Sequence, residues 1–170
     1  MLPPMSMNGE YLRLTTEELA RALENPEWAW EFADEAQERE DEEEPAPTEA
    51  RCFSTFQAWN LLDFLLRRAS FPVDVVHGEE PIPNADDWGY GPPQYLTADR
   101  VHLAADRLHE LTYDALIRGV DHTELATAGV YPRIWDSPTS LEWARDTLAS
   151  LTEFFRAAAS ADHAVLVWLD

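Results

Sequence analysis

Apolar residues recur at helical spacing along much of the chain, a pattern that predicts amphipathic helices. The clearest run is the last one, which extends from Leu141 to Ala158. Residues that favour helix N-caps, such as Thr15, Ser54 and Thr97, precede several of the runs. The predicted helices cover about 16–24, 26–34, 55–68, 98–110, 113–118, 122–128 and 138–159.

Two other stretches have the pattern of strands. Residues 9–14 alternate around Tyr11, and residues 164–169 are apolar at nearly every position, as in a strand buried on both faces. Residues 94–96 and 129–135 are also predicted to be extended. The predicted fold class is α+β: a mainly helical single domain, residues 1–170, with a small sheet that pairs the N-terminal strand with the C-terminal strand.

Residues 34–50 interrupt this pattern with a run of acids. Positions 34–49 hold nine acidic residues and one arginine, and Pro45 and Pro47 lie near the end. Like charges at neighbouring helical positions repel, and proline ends helices. This stretch is therefore predicted to be a frayed helix end that continues as a mobile acidic insert within the domain.

The whole chain is acidic, and its charge excludes some partners. It has 33 acidic residues against 12 basic ones, all arginine, for a net charge of −21. Nucleic acids and anionic membranes need a basic surface, so neither is a predicted partner. Acidity alone can serve solvation, but it also favours attraction to a basic protein.

The single cysteine, Cys52, excludes an internal disulfide and fits a reducing compartment. Residues 1–7 have neither the basic segment nor the apolar run of a signal peptide, and no stretch resembles a membrane helix. The predicted location is cytoplasmic, and no cofactor is predicted. Phosphate-binding glycine loops, nucleophile elbows and zinc-protease histidine pairs are absent from the sequence, which disfavours an enzyme without excluding one.

Two polar groups have the residue types of a functional site. His102, Asp106 and His109 would share one stripe of a helix and could bind a metal, but such a stripe is more often an exposed polar flank. Asp86 and Asp87 precede Trp88 and could act as paired carboxylates, although such a pair is more often part of a solvated turn. No metal ligand and no catalytic residue is assigned from these patterns.

Two segments rich in aromatics and proline carry more weight. One lies within a long irregular stretch, about 71–94, of a length that is usually functional or disordered in compact domains. The two segments, 88–95 and 131–135, either line one binding pocket or cover the core over the helix that contains Trp59. The candidate binding residues are Trp88, Tyr90, Tyr95, Tyr131 and Trp135.

The order of several segments resembles the YfbM-like family of bacterial proteins of unknown function. The strongest piece is Tyr90-Gly91-Pro92-Pro93-Gln94-Tyr95-Leu96-Thr97, and Val130 to Trp135 is the next. Weaker pieces are Tyr11-x-Arg13-x-Thr15, Trp59-Asn60-Leu61-Leu62 and the terminal strand at 164–169. The resemblance covers nearly the whole chain except the acidic stretch.

This resemblance implies a single α+β domain in a bacterial cytoplasm. The family has no established activity, so no catalytic residue is carried over. The chain departs from it in the acidic stretch and in the residues before Met7, which extend upstream of the usual start. Gln57 also lies where a basic residue is expected.

Two functions therefore compete. The favoured one is a non-enzymatic binding protein for a basic protein partner, for example of the toxin-immunity type. The alternative is a small-molecule-binding protein or enzyme, with a pocket lined by the 88–95 and 131–135 segments.

Overall fold

The computed structural model describes residues 6–170, which form a five-stranded antiparallel sheet with helices on both faces. The strands are β1 (Gly9–Leu14), β2 (Cys52–Phe56), β3 (Glu80–Pro81), β4 (Gln94–Leu96) and β5 (Ala164–Leu169). The helices are α1 (Thr16–Glu24), α2 (Pro26–Glu43), α3 (Trp59–Arg68), α4 (Ala98–Glu110), α5 (Tyr113–Ile117), α6 (His122–Thr127) and α7 (Arg145–Ser160), with a 3-10 helix at Pro138–Ala144. Residues 1–5, most of the predicted upstream extension, lie outside this description.

The predicted central pair is confirmed. β1 and β5 are antiparallel neighbours, with Gly9 opposite Leu169 and Leu14 opposite Ala164. The sheet order is β2-β1-β5-β4-β3, so these two strands lie at its centre. The α+β class is confirmed as well, with a larger sheet than the sequence indicates.

Strand β2 replaces the start of a predicted helix. The predicted N-cap role of Ser54 was wrong: Ser54 lies opposite Glu10 in the sheet, and α3 begins only at Trp59. The hydroxyl of Ser54 donates to the Glu10 carboxylate at 3.0 Å instead of accepting from a helix N-terminus. Phe56, at φ 50°, then turns the chain toward α3.

Alternation along β1 and β5 divides the core into two layers. Leu12 and Trp168 face α1, α2 and the loop that contains Trp88. Tyr11 and Val167 face the opposite side, where α3, α4 and α7 cover the sheet. The sheet is therefore the middle of three layers.

Helix α2 continues well into the acidic stretch. Its inner face is made of alanines, Ala29, Ala33 and Ala36, which are all buried. Farther along, the Glu40 carboxylate accepts hydrogen bonds from the backbone N–H groups of Arg51 and Cys52 at 2.9–3.1 Å. The first part of the predicted insert is thus helical and attached to β2, while its mobility stays a prediction.

Two arginines hold the segment that returns from α2 to β2. The buried guanidinium of Arg13 donates to the carbonyl oxygens of Thr48, Ala50 and Ala157 at 2.9–3.1 Å. Arg51 donates to the carbonyl oxygen of Arg13 at 2.8 Å and forms an ion pair with Glu18. Side-chain donors therefore hold the return segment together with the backbone hydrogen bond from the Arg13 N–H to the Arg51 carbonyl oxygen.

Two predictions near the last helix need correction. Residues 129–135 do not form an extended crossing, because the chain turns back and the indole N–H of Trp135 donates to the Val130 carbonyl at 2.7 Å. The final helix begins as a 3-10 helix at Pro138, and α-helical geometry starts at Arg145. Among residues 6–170, no helix combines the length and apolar character that crossing a membrane requires.

Candidate functional site

The loop from Asp87 to Thr97 is ordered by its own polar groups. One carboxylate oxygen of Asp87 accepts from the backbone N–H groups of Gly89 and Gly91, at 2.8 and 2.9 Å. The Trp88 ring packs edge-on against Trp168, with ring centroids 5.2 Å apart. The Tyr90 backbone N–H donates to the Leu169 carbonyl at 3.0 Å, so the loop is attached to the end of β5.

The second aromatic segment packs on α3. The Tyr131 ring stacks on Trp59 at 5.9 Å, its backbone N–H donates to the Asn60 side chain at 2.8 Å, and its hydroxyl accepts from Met7. Trp135 is buried in the same core layer. This segment therefore covers the core over Trp59, which is the structural alternative that the sequence left open.

The five predicted binding residues do not line one pocket. Trp88 belongs to the layer that contains Trp168, whereas Tyr131 and Trp135 lie on the other side of the sheet. Trp88 and Trp135 are only 8% and 5% exposed, Tyr95 is half-buried, and Tyr90 is 41% exposed. No local sequence pattern indicates that the two segments lie on opposite faces of the sheet, and a binding role for each residue separately stays a prediction.

A groove does adjoin Trp88, between its loop and the start of α2. It has a volume of about 670 Å³. Trp30, which is 50% exposed, forms the opposite wall. The acids around it are Glu27, Glu31, Asp86 and Asp87. The predicted binding residues include Trp88 on the loop side of this groove but not Trp30, although the position of Trp30 outside the alanine stripe of α2 marks it as exposed.

The groove opens onto an acidic stripe along the outer face of α2. The stripe is opposite the buried alanines and consists of Glu27, Glu31, Asp34, Glu38, Asp41 and Glu42. All six side chains are exposed, and none belongs to an ion pair among residues 6–170. Acids near a helix C-terminus are also unfavourable for the helix dipole. The stripe is thus an uncompensated negative surface beside an exposed tryptophan.

The predicted histidine stripe does not converge on one point. His102 contacts Asp162 at 2.7 Å, whereas His109 contacts the Arg156 guanidinium at 3.3 Å. A different trio in the described chain brings metal-binding atoms together: Asp63, Asp74 and His77. Asp74, and then Asp63, raise the pKa of His77 against the effect of burial.

Glu10 is a half-buried acid on the β2 side of the sheet. It accepts from Ser54 and Gln37 in a cavity of about 460 Å³. Burial, and then the nearby Asp170 carboxylate, raise its pKa to about 7. Burial and neighbouring acids also raise the pKa of the Cys52 thiol to about 12, so this thiol stays protonated and is a poor nucleophile at neutral pH.

Replacing Glu10 with glutamine is expected to stabilise the protein by about 1 kcal/mol at pH 8. The folded state holds a proton on Glu10 up to about pH 7, whereas the unfolded state releases it near pH 4.5. The contribution of Glu10 to the free energy of unfolding therefore falls as pH rises from 4.5 to about 7. Urea unfolding at several pH values should show the gain of Glu10→Gln growing from pH 4.5 to 7 and then levelling off.

The exposed Glu153→Gln is the matched control, and its difference from the wild type should not follow this curve. A gain for Glu10→Gln that is equal at pH 4 and pH 8 would contradict the assignment.

The fold defines a single α+β domain built around a five-stranded antiparallel sheet. A family model described as a domain of unknown function, DUF1877, matches residues 5–168, and the chain belongs to this family. A crystal structure of a protein of unknown function, YfbM from Escherichia coli, is similar to the chain, with a TM-score of 0.65 over 98% of this chain and 100% of that one. Their identity is 17%, which shows the shared fold alone. No curated protein matches the chain.

Proposed function

We propose that this protein is a non-enzymatic cytoplasmic binding protein whose partner is a basic protein. The observation that carries the proposal is the acidic stripe of α2, whose exposed carboxylates have no cationic partner within residues 6–170. Unpaired acids on one helix face repel each other, and a basic surface would relieve that repulsion.

Trp30 supplies an apolar anchor, which the acidic stripe does not contain. Tryptophan is enriched among the residues that dominate binding energy in protein interfaces. Trp30 lies beside Glu27 and Glu31, so an arginine or lysine of the partner could contact the ring and a carboxylate together. The stripe would then provide attraction and orientation, and the groove would provide the tight contact.

A toxin-immunity pair is one concrete form of this function. In such a pair the acidic protein covers the basic active surface of a toxin, and charge complementarity makes association fast. In this form, co-expression of the chain would relieve growth inhibition by a basic protein encoded beside it.

A second candidate is a small-molecule site in the groove between Trp30 and Trp88. Its volume, about 670 Å³, lies in the range of ligand pockets. The acids on its walls favour a cationic ligand. The groove lacks the predicted wall from residues 131–135, which weakens this alternative relative to the protein partner.

The test uses capture from a lysate of the source bacterium, identification of the bound protein, and titration with that purified protein. The stripe variant carries Glu27→Gln, Glu31→Gln, Asp34→Asn and Glu38→Gln. It should bind roughly tenfold more weakly at low salt, with a smaller dependence on salt. Trp30→Ala should weaken binding at both low and moderate salt, because its contact is not electrostatic.

The matched control removes the same number of exposed acids from the other side of the sheet. It carries Asp99→Asn, Asp106→Asn, Asp146→Asn and Glu153→Gln on α4 and α7. Equal weakening by the stripe and control variants would mean that net charge alone matters, and the α2 surface would be rejected. Unchanged binding by the stripe variant and by Trp30→Ala would reject it as well.

A further inference from the structure

A cluster of metal-binding side chains lies on the opposite side of the sheet from the acidic stripe, where the chain folds back after α3. Asp63 is on α3, and Asp74 and His77 lie in the turn that follows it. Each offers one ligand atom, and the three atoms lie within 4.8 Å of one another. All three residues are partly buried, which distinguishes the cluster from ordinary surface acids.

The position of the His77 ring carries the inference. Its Nδ1 atom is shielded from solvent and makes no hydrogen bond. Nδ1 lies 3.4 Å from an Asp74 carboxylate oxygen and 3.7 Å from an Asp63 carboxylate oxygen. Ligand atoms around tetrahedral zinc, with bonds of about 2.1 Å, are about 3.4 Å apart. The first separation matches an edge of a zinc tetrahedron, the second is slightly longer, and all three ligand atoms lie within 4.8 Å of one another.

Two of the three side chains, those of Asp74 and His77, are already held in place. Asp74 accepts from the backbone N–H groups of Val76 and His77, at 3.2 and 2.9 Å, which fixes its carboxylate in the turn. Trp59 contacts the His77 ring edge-on, with centroids 5.9 Å apart. A cation would therefore meet a preorganised set of ligands.

Among residues 6–170, Arg67 is the arginine in contact with both carboxylates. Its guanidinium is 2.8 Å from Asp63 and 3.5 Å from Asp74, but its side chain is 65% exposed. Arg67 can thus turn toward solvent and leave the carboxylates to a metal ion. The Arg67 guanidinium and a metal ion are both positively charged and would compete for the carboxylates of Asp63 and Asp74. Arg67 would therefore weaken metal binding rather than support it.

We propose that Asp63, Asp74 and His77 bind a divalent transition cation, with Zn²⁺ as the best fit. One nitrogen and two carboxylate oxygens suit Zn²⁺, and a fourth position would be left for water. The ion would link the 74–77 turn to α3 and stabilise this side of the domain. This site is independent of the proposed basic partner.

The test measures Zn²⁺ binding by calorimetry and Co²⁺ binding by visible absorption. A Co²⁺ absorption band indicates a low-symmetry set of protein ligands, whereas loose attraction to the acidic surface gives no such band. His77→Ala should weaken Zn²⁺ binding at least about tenfold and abolish the Co²⁺ band. Arg67→Ala should tighten binding about threefold. His102→Ala, in the stripe that does not converge, is the matched control and should bind like the wild type.

Zn²⁺ should also raise the melting temperature of the wild-type protein and leave that of His77→Ala unchanged. The absence of a Co²⁺ band in the wild-type protein, or a band that survives in His77→Ala, would overturn the proposal. Metal-free melting shows whether His77→Ala is folded. If that variant does not fold, the Arg67→Ala result decides, because weaker binding by it would reject the site.

Discussion

Replacing Arg13 with leucine is expected to lower the free energy of unfolding by about 3 kcal/mol. The Arg13 side chain is 5% exposed, and its guanidinium donates to three backbone carbonyl oxygens. Leucine would fill much of the space but would leave the return segment at 48–50 without its donors. Urea unfolding followed by circular dichroism measures the loss.

Two further variants separate hydrogen bonding from charge. Arg13→Lys keeps the charge, but one ammonium group cannot reproduce the planar guanidinium fork, so we expect a loss of about 2 kcal/mol. Arg39→Leu removes an exposed arginine from α2 and should change stability by less than about 0.5 kcal/mol. If Arg13→Leu unfolds at the same urea concentration as Arg39→Leu, the buried hydrogen bonds contribute little.

Replacing Gly89 with alanine is expected to destabilise the fold by about 2 kcal/mol. An added Cβ would lie 2.7 Å from the Asp170 Cα and 2.8 Å from the Leu169 carbonyl oxygen, so the loop would have to leave β5. The backbone φ of 138° is a second penalty for any residue with a side chain. Thermal unfolding of the variant measures the combined effect.

Gly91 provides the matched control within the same loop. Its φ of 109° is also unfavourable for alanine, but an added Cβ would meet nothing within 4 Å. Gly91→Ala should therefore cost about 1 kcal/mol, from backbone strain alone. Equal losses for the two alanine variants would show that the close approach to β5 does not matter.

Local sequence signals predicted the elements that depend on local chemistry. The predicted N-cap at Thr15 is present and forms a capping box with Glu18, and the predicted helix at 98–110 matches α4. The pairing of β1 with β5 followed from a strand that is apolar on both faces. Strand β2 was missed because Ser54 fits both a helix cap and a strand position, and its contact with Glu10 decides between them.

The candidate site was also only partly predictable from the sequence, because tertiary contacts decide part of its structure. The acidity of residues 34–50 is evident from the sequence, but the length of α2 depends on buried alanines and on the hydrogen bonds that Glu40 accepts from the backbone N–H groups of Arg51 and Cys52. These tertiary contacts keep α2 helical to Glu43 despite repulsion between neighbouring acids. The Asp63, Asp74 and His77 cluster was missed altogether, because the loop geometry that joins it has no local sequence pattern.

The central position of β1 and β5 has a consequence for biosynthesis. These strands are separated by about 150 residues in the sequence yet are hydrogen-bonded neighbours in the sheet. Loop closure over such a distance is slow, and both core layers depend on the pair. During translation, the nascent chain therefore leaves β1 without its central neighbour until residues 164–169 have emerged from the ribosome.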